Sequence, residues 1–376
     1  MRMHYTKCVE FVRKYASRGE LHELMRPASK PYRYTKTTIH LTYFSMPDWL
    51  AILSAARWPE GTGSGEEPIR QVLRVMALES DISAVLDFMS LDRMAPPERE
   101  RAFRRLVFGY KIAVEGHQKS VADCLDCFTD RGSGRALLME LGRTRHTITV
   151  MPHWLYFMAL PDQGFRNATP KGLRAGQIFS HVTDGIPVNQ RDTYAKGAPI
   201  HGYGAGGTGT GEGASVVIYY SVRTWTDTFF PDHTTGAAGF QPDEVLFHEL
   251  VHVTRMIRGK ETFVTAEGRP NFGNIEEYFA TVISNIYLSE KGKGKETRLV
   301  GAYTSDLANP PKDWNVMKDP GGFYRNNDGL SIPPERLMDT FQRTQGLFYR
   351  DLAILPTPPW FNPVRTHFRL SQRIPV

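Results

Sequence analysis

The chain is poor in cysteine, with three among 376 residues, and so few cannot build a disulfide framework. Long apolar runs are missing too. No segment approaches the roughly 18 uncharged apolar residues needed to cross a bilayer, so a membrane span is not expected. Met1 to Lys14 carries scattered charges and no apolar h-region, which predicts neither a Sec signal nor an anchor there. Charge of one sign is scarce as well: 46 Lys and Arg against 40 Asp and Glu leave a net charge of +6, too mild to point to nucleic acid. Nine Lys and Arg against four Asp and Glu put +5 of that excess in the first 50 residues. Cys124 and Cys127 form a lone CxxC with no second pair, a spacing that reads as two thiols on one helical face before it reads as a zinc knuckle or redox centre.

What is present is a foldable composition, 41% hydrophobic and 23% charged, arranged in two textures. From Tyr5 to Met25 and from Asp48 to Arg57 apolar residues recur at helical spacing, and the breaker run Pro59 to Gly65 then reads as a linker or loop. Ile69 to Met89 is helical again, and Pro96-Pro97-Glu98 opens a basic amphipathic helix through about Val114. The helical reading continues to Arg145. His146 to Met151 then alternates with β-branched residues, which places a domain boundary at 145 and begins a strand-and-loop region. Seven glycines fall within residues 202–213, followed by a buried strand over Ala214 to Val222. Gln241-Pro242-Asp243-Glu244 starts a helix that runs to Ile257 with Gly259 as its stop. Glu276 to Leu288 is a second helix, Lys291 to Lys295 a flexible tract, Pro334 to about Leu352 a further helix, and the remainder a Pro-rich tail. The class implied is α+β: a mainly helical domain over 1–145, then a second domain over 146–376.

His248-Glu249-Leu250-Val251-His252 is HExxH in an uncharged setting, with both imidazoles one turn apart on the same helical face. Two neutral imidazole nitrogens so placed can hold one Zn2+, and Glu249 is then within reach of the zinc-bound water as its general base. A buried helix that merely contained two His and one Glu would carry three costly polar groups in an apolar stretch with nothing to satisfy them. A catalytic zinc takes a third protein ligand and keeps an open position. Glu276 and Glu277 on the next helix are the candidates, and because both flank the apolar stripe of Ile275, Phe279, Val282 and Ile286, periodicity alone leaves the choice open.

The Gly-rich turn and strand, the HExxH helix and the following Asn274-Ile275-Glu276-Glu277-Tyr278-Phe279-Ala280 together resemble the gluzincin-type bacterial toxin and effector proteases. The last motif is similar to that of the anthrax lethal factor group, and the strand with HELVH to the NleD-like type III effector metalloproteases. The resemblance covers roughly residues 200–290. It implies a zincin-like metalloprotease domain over 146–376, with Zn2+ on His248, His252 and Glu277, the last because it directly precedes the aromatic-Phe-Ala triplet. It also implies a protein substrate held in extended form against the strand Ala214 to Val222. Two positions depart from the lethal-factor pattern: Thr281 stands where it has an acid, and Pro270 where it has its catalytic tyrosine. That leaves the outer partner of His248 and the oxyanion donor unassigned. Tyr324, on the Gly-flanked loop Gly321 to Asn326, is the first candidate for the donor.

Gly204 to Gly209 matches GxGxxG, but a strand follows it and no helix N-terminus meets a phosphate, so the glycines read as a turn at the cleft rim. His22-Glu23-Leu24-Met25-Arg26 holds only half of the zinc pattern. The function expected is a zinc endopeptidase, made without a Sec signal and secreted or translocated into a target cell. Its helical half would serve targeting, substrate recognition, regulation or docking to a secretion chaperone. A zinc hydrolase of a non-peptide bond, a cytosolic housekeeping protease and a non-enzymatic protein with a degenerate site stand as alternatives.

Overall fold

The computed structural model describes residues 5–55, 94–152, 213, 215–220, 222, 239, 241–260, 275–292, 324–325, 331–332, 334–356 and 361–372. The chain begins with helices α1 (Tyr5–Tyr15) and α2 (Arg18–Leu24), a hairpin of β1 (Ala28–Tyr34) and β2 (Thr37–Tyr43), and α3 (Met46–Ala55). Next come α4 (Pro96–Thr129), α5 (Gly132–Leu141), β3 (Ile148–Met151) and β4 (Val216–Tyr219). Then follow α6 (Pro242–Met256), α7 (Ile275–Lys291), the two-residue strands β5 (Tyr324–Arg325) and β6 (Ser331–Ile332), α8 (Pro334–Thr344), α9 (Gly346–Ala353) and α10 (Pro363–Ser371). The architecture is α+β with a small mixed sheet. Among the described residues no helix is long and apolar enough to cross a membrane.

The main sheet has the order β1-β2-β3-β4. β1 and β2 are antiparallel, whereas β3 runs parallel to β2 and β4 parallel to β3. β2 alternates as a strand with one covered face should: Thr37, Ile39, Leu41 and Tyr43 are buried and the residues between them partly exposed. β1 is largely exposed and carries Pro31 on the outer edge, where a missing ladder donor is tolerated. The register brings Ile39 beside Ile148 and Leu41 beside Val150, and then Ile148 beside Val216 and Val150 beside Ile218.

This pairing crosses the boundary expected at 145. β2 lies before it and β3 after it, yet they are neighbours in one sheet. One hydrophobic core likewise joins Ile39, Leu41, Val121, Leu125, Phe128 and Leu137 to Val150, Ile218 and the apolar residues of α6, α7, α8 and α9. The helical half therefore supplies a wall of the core around the HExxH helix. A second core is formed by α1, α3 and the first half of α4, around Val12, Tyr43, Trp49, Phe103 and Leu106.

The 34-residue α4 runs through both cores, a span of about 50 Å at 1.5 Å per residue. Pro96 pre-sets its first turn, and the Ala95 N–H donates to Glu98 Oε2 at 3.1 Å. It continues past Val114 because His117 and Gln118, polar as they are, lie buried against the sheet, with Gln118 Nε2 donating to the Leu41 carbonyl at 2.9 Å.

Three smaller differences follow from packing. Lys291, expected in a flexible tract, is the last residue of α7 and is ion-paired. The Pro-rich tail holds α10, capped by the Asn362 side chain. The helix expected from Pro334 divides at Gln345 into α8 and α9. Cys124 and Cys127 lie one turn apart on one helix, the first buried and the second exposed; burial pushes the Cys124 thiol up to about 12 and makes it inert. The expectations for Pro59 to Gly65, Ile69 to Met89, Gly204 to Gly209 and Pro270 fall outside the described residues.

Candidate metal centre

α6 forms where the sequence provides both ends of a helix. Pro242 occupies the first turn with Asp243 and Glu244, whose charges suit the helix dipole, and Glu244 Oε2 accepts from the Gly239 N–H at 2.7 Å. At the other end Gly259 takes φ +58°, the left-handed turn that releases the chain, and the Lys260 N–H donates to the Arg255 carbonyl at 2.9 Å. Gly213, the last of the glycine run, has φ +74°, and a Cβ there would lie 1.9 Å from the Ile257 carbonyl oxygen. Only glycine lets the chain leading to β4 lie against the end of α6.

α7 packs against α6 with their sequences running in opposite directions. At the start of α6, Lys291 Nζ meets Asp243 Oδ2 at 2.7 Å and Glu244 Oε1 at 2.9 Å, and the Tyr287 hydroxyl donates to Asp243 Oδ2 at 2.6 Å. Burial, then the Asp243 charge, raises the Tyr287 phenol far above its ordinary pKa and keeps it a neutral donor. The Tyr287 ring stacks on Phe247, with centroids 4.3 Å apart. At the far end, Arg255 Nε donates to Glu276 Oε2 at 2.5 Å inside the protein.

Between these two clamps lies the HExxH segment. The Nε2 atoms of His248 and His252 are 3.3 Å apart, on rings crossed at 78°. Two imidazole nitrogens sharing one tetrahedral zinc, each about 2.0–2.1 Å from it, stand about 3.3–3.4 Å from each other, so the separation of the pair matches that of two zinc-bound imidazoles. Both imidazoles are partly exposed while Glu249, next to His248 in the chain, is buried. Ser284 Oγ lies 3.4 Å from His248 Nδ1. With Nδ1–H donating to that hydroxyl, His248 Nε2 keeps the lone pair a metal needs.

Of the two glutamates left open by the sequence, Glu276 is 3% exposed and held by Arg255. Glu277 follows it in α7, with a side chain outside the described residues, and among those residues no group of three His, Cys, Asp or Glu converges. Tyr324 lies in β5, opposite Ile332 of β6, and its side chain too is outside the described set. Ser284, beside His248, and Arg255, paired with Glu276, are contacts that sequence reasoning misses. The available signal was spacing, since Arg255 follows His252 by three residues and Ser284 follows Glu277 by seven, each a return to the same helical face. Comparison of the chain with protein-family models, with curated proteins and with solved structures finds no match to any of them.

Proposed function

We propose that this protein is a zinc-dependent endopeptidase with a zincin-like active site, acting as a secreted or translocated bacterial effector or toxin on a protein of the target cell. One observation carries the reading: two imidazole nitrogens held 3.3 Å apart on the partly exposed face of an otherwise buried helix, with the buried Glu249 next to His248 in the chain. His248 and His252 would hold the metal through Nε2, and Glu277 is the proposed third ligand, because Glu276 is already committed to Arg255. When bound, zinc lowers the pKa of a coordinated water and polarises the scissile carbonyl.

The chain's own groups account for the rest. Glu249 takes a proton from the attacking water and delivers it to the leaving amine, and its burial lets the carboxylate act with little competition from solvent. Ser284 Oγ, 3.4 Å from His248 Nδ1, would accept its N–H and so favour the ligating tautomer. Tyr324 is the proposed hydrogen-bond donor to the oxyanion. An extended substrate segment would pair with β4, whose one described sheet neighbour is β3. The effector assignment rests on the resemblance of residues 200–290.

Metal analysis tests the site. The purified chain is expected to carry about one zinc, lost in His248→Ala and in His252→Ala, and to bind it far more weakly in Glu277→Ala. Full occupancy in both histidine variants would place the metal elsewhere.

A further inference from the structure

The polar cluster at the C-terminal end of α6 is buried more completely than helix packing requires. Arg255 and Glu276 are 2% and 3% exposed. The remaining guanidinium N–H groups reach the Lys260 carbonyl at 2.6 Å and Gln345 Oε1 at 3.4 Å, and the guanidinium carbon lies 4.5 Å from the Phe279 ring centroid. Gln345, between α8 and α9, donates through Nε2 to Thr254 Oγ1 at 2.9 Å, and Thr254 donates to the Val251 carbonyl at 2.7 Å. A buried ion pair seldom exceeds apolar residues of the same volume in stability; what it can supply is a single geometry.

The geometry fixed here is the rotation of α7 about its own axis. Arg255 stands seven residues after His248 and three after His252, so all three belong to one side of α6. On α7, position 277 is about 100° round from 276 and two turns before 284. Seating Glu276 on Arg255 therefore sets where positions 277 and 284 fall, and Ser284 is found against His248. Were Glu276 drawn away to a metal, Arg255 would be left as a buried cation near a dication.

We infer that Arg255 is a positioning residue of the metal centre: its buried pair with Glu276 fixes the rotation of α7 that leaves Glu277 as third ligand and keeps Ser284 at His248. The inference rests on the zinc reading above. It gives adjacent glutamates opposite duties, one a clamp and one a ligand.

The test uses the full chain in three forms. Arg255→Met with Glu276→Leu replaces the pair by apolar residues of similar size, and Glu276→Gln removes the charge alone. The readouts are the melting temperature without metal, zinc affinity by chelator competition, and the visible spectrum of the Co2+-loaded protein. The double variant should melt within about 5 °C of wild type yet lose 10- to 100-fold in zinc affinity, with a changed Co2+ spectrum. Glu276→Gln should move the same way by a smaller factor, and decides alone if the double variant does not fold. Wild-type affinity and spectrum in the variants would overturn the inference. So would an affinity loss reproduced by Leu106→Ala, a change in the other core that only loosens packing. Wild-type protein that takes up no zinc, or zinc that survives His248→Ala, would contradict the metal centre itself and this inference with it.

Discussion

The two cores threaded by α4 are built from different material. Around α1, α3 and the first half of α4 the interior is aromatic and aliphatic: Tyr43, Phe44, Trp49, Phe103, Leu106, Tyr110. The buried Asp, Glu and Arg side chains among the described residues, Glu140, Glu244, Glu249, Arg255 and Glu276, all lie on α5, α6 or α7. Three of those five are on the HExxH helix. Apolar burial at about 25 cal/mol per Å2 suffices to hold the first core, so nothing in the physics of folding obliges the second to desolvate charges. Four of the five are answered by an opposite charge: Glu140 by Arg143 and Arg258, Glu244 by Lys291, and Arg255 and Glu276 by each other. These pairs sit at the ends of α6 and hold it in place, while Glu249 lies in the middle of the helix.

The comparison breaks most decisively if the cores can be separated. A fragment of residues 146–376 lacks β2, so β3 loses a neighbour, and it lacks Val121, Leu125, Phe128, Leu137 and Leu141 from the core. It is expected to show no cooperative unfolding and no stoichiometric zinc. A sharp melting transition with zinc retained would support a domain boundary at 145.

Paired single substitutions sharpen the contrast. Glu276→Ala leaves Arg255 buried without its carboxylate, an expected cost of about 3–5 kcal/mol, and should weaken zinc binding as well. Leu106→Ala, in the apolar core, should cost about 2–5 kcal/mol while zinc per folded molecule stays at the wild-type value. Urea titrations with metal analysis on the same samples distinguish the two patterns, and equal zinc loss in both would remove the distinction between the cores.

A smaller effect is expected where the cores meet. Burial pushes the His117 imidazole down to about 4, opposed by its hydrogen bond to the Val150 backbone. The unfolded chain takes up this proton below about 6.5, and the folded protein does not until about 4. Stability from the neutral imidazole is thus complete above pH 6.5 and is lost as pH falls towards 4, by about 2 kcal/mol between pH 7 and pH 5. His117→Gln should flatten that decline in urea midpoints; an unchanged decline would assign the acid sensitivity to other groups.

What the sequence shows of this design is its local part. Pro242, the HELVH run and Gly259 define α6 within a residue or two, and β-branched alternation marks β3 and β4. The hairpin over Ala28 to Tyr43 is less visible, because β1 exposes most of its residues and β2 finds its second partner about 100 residues away. For the same reason the pairing across 145 is not visible in the change of texture there: local pattern carries no information on which strand pairs with which. Periodicity cannot separate Glu276 from Glu277 either, since the group that singles out Glu276 is Arg255, on another helix.

The central claim is that the HExxH helix performs hydrolysis instead of merely holding a metal. Glu249→Gln is the most direct measurement, because it keeps both imidazoles and nearly the same shape. Wild type and variant are matched for zinc and melting temperature, incubated with eukaryotic and bacterial lysates, and compared for the new protein N-termini each generates. The expected result is equal zinc, near one per chain, with cleavage by the variant reduced by about 10² to 10⁴ and wild-type cleavage confined to the eukaryotic lysate. Identical cleavage profiles from the two proteins would contradict the mechanism.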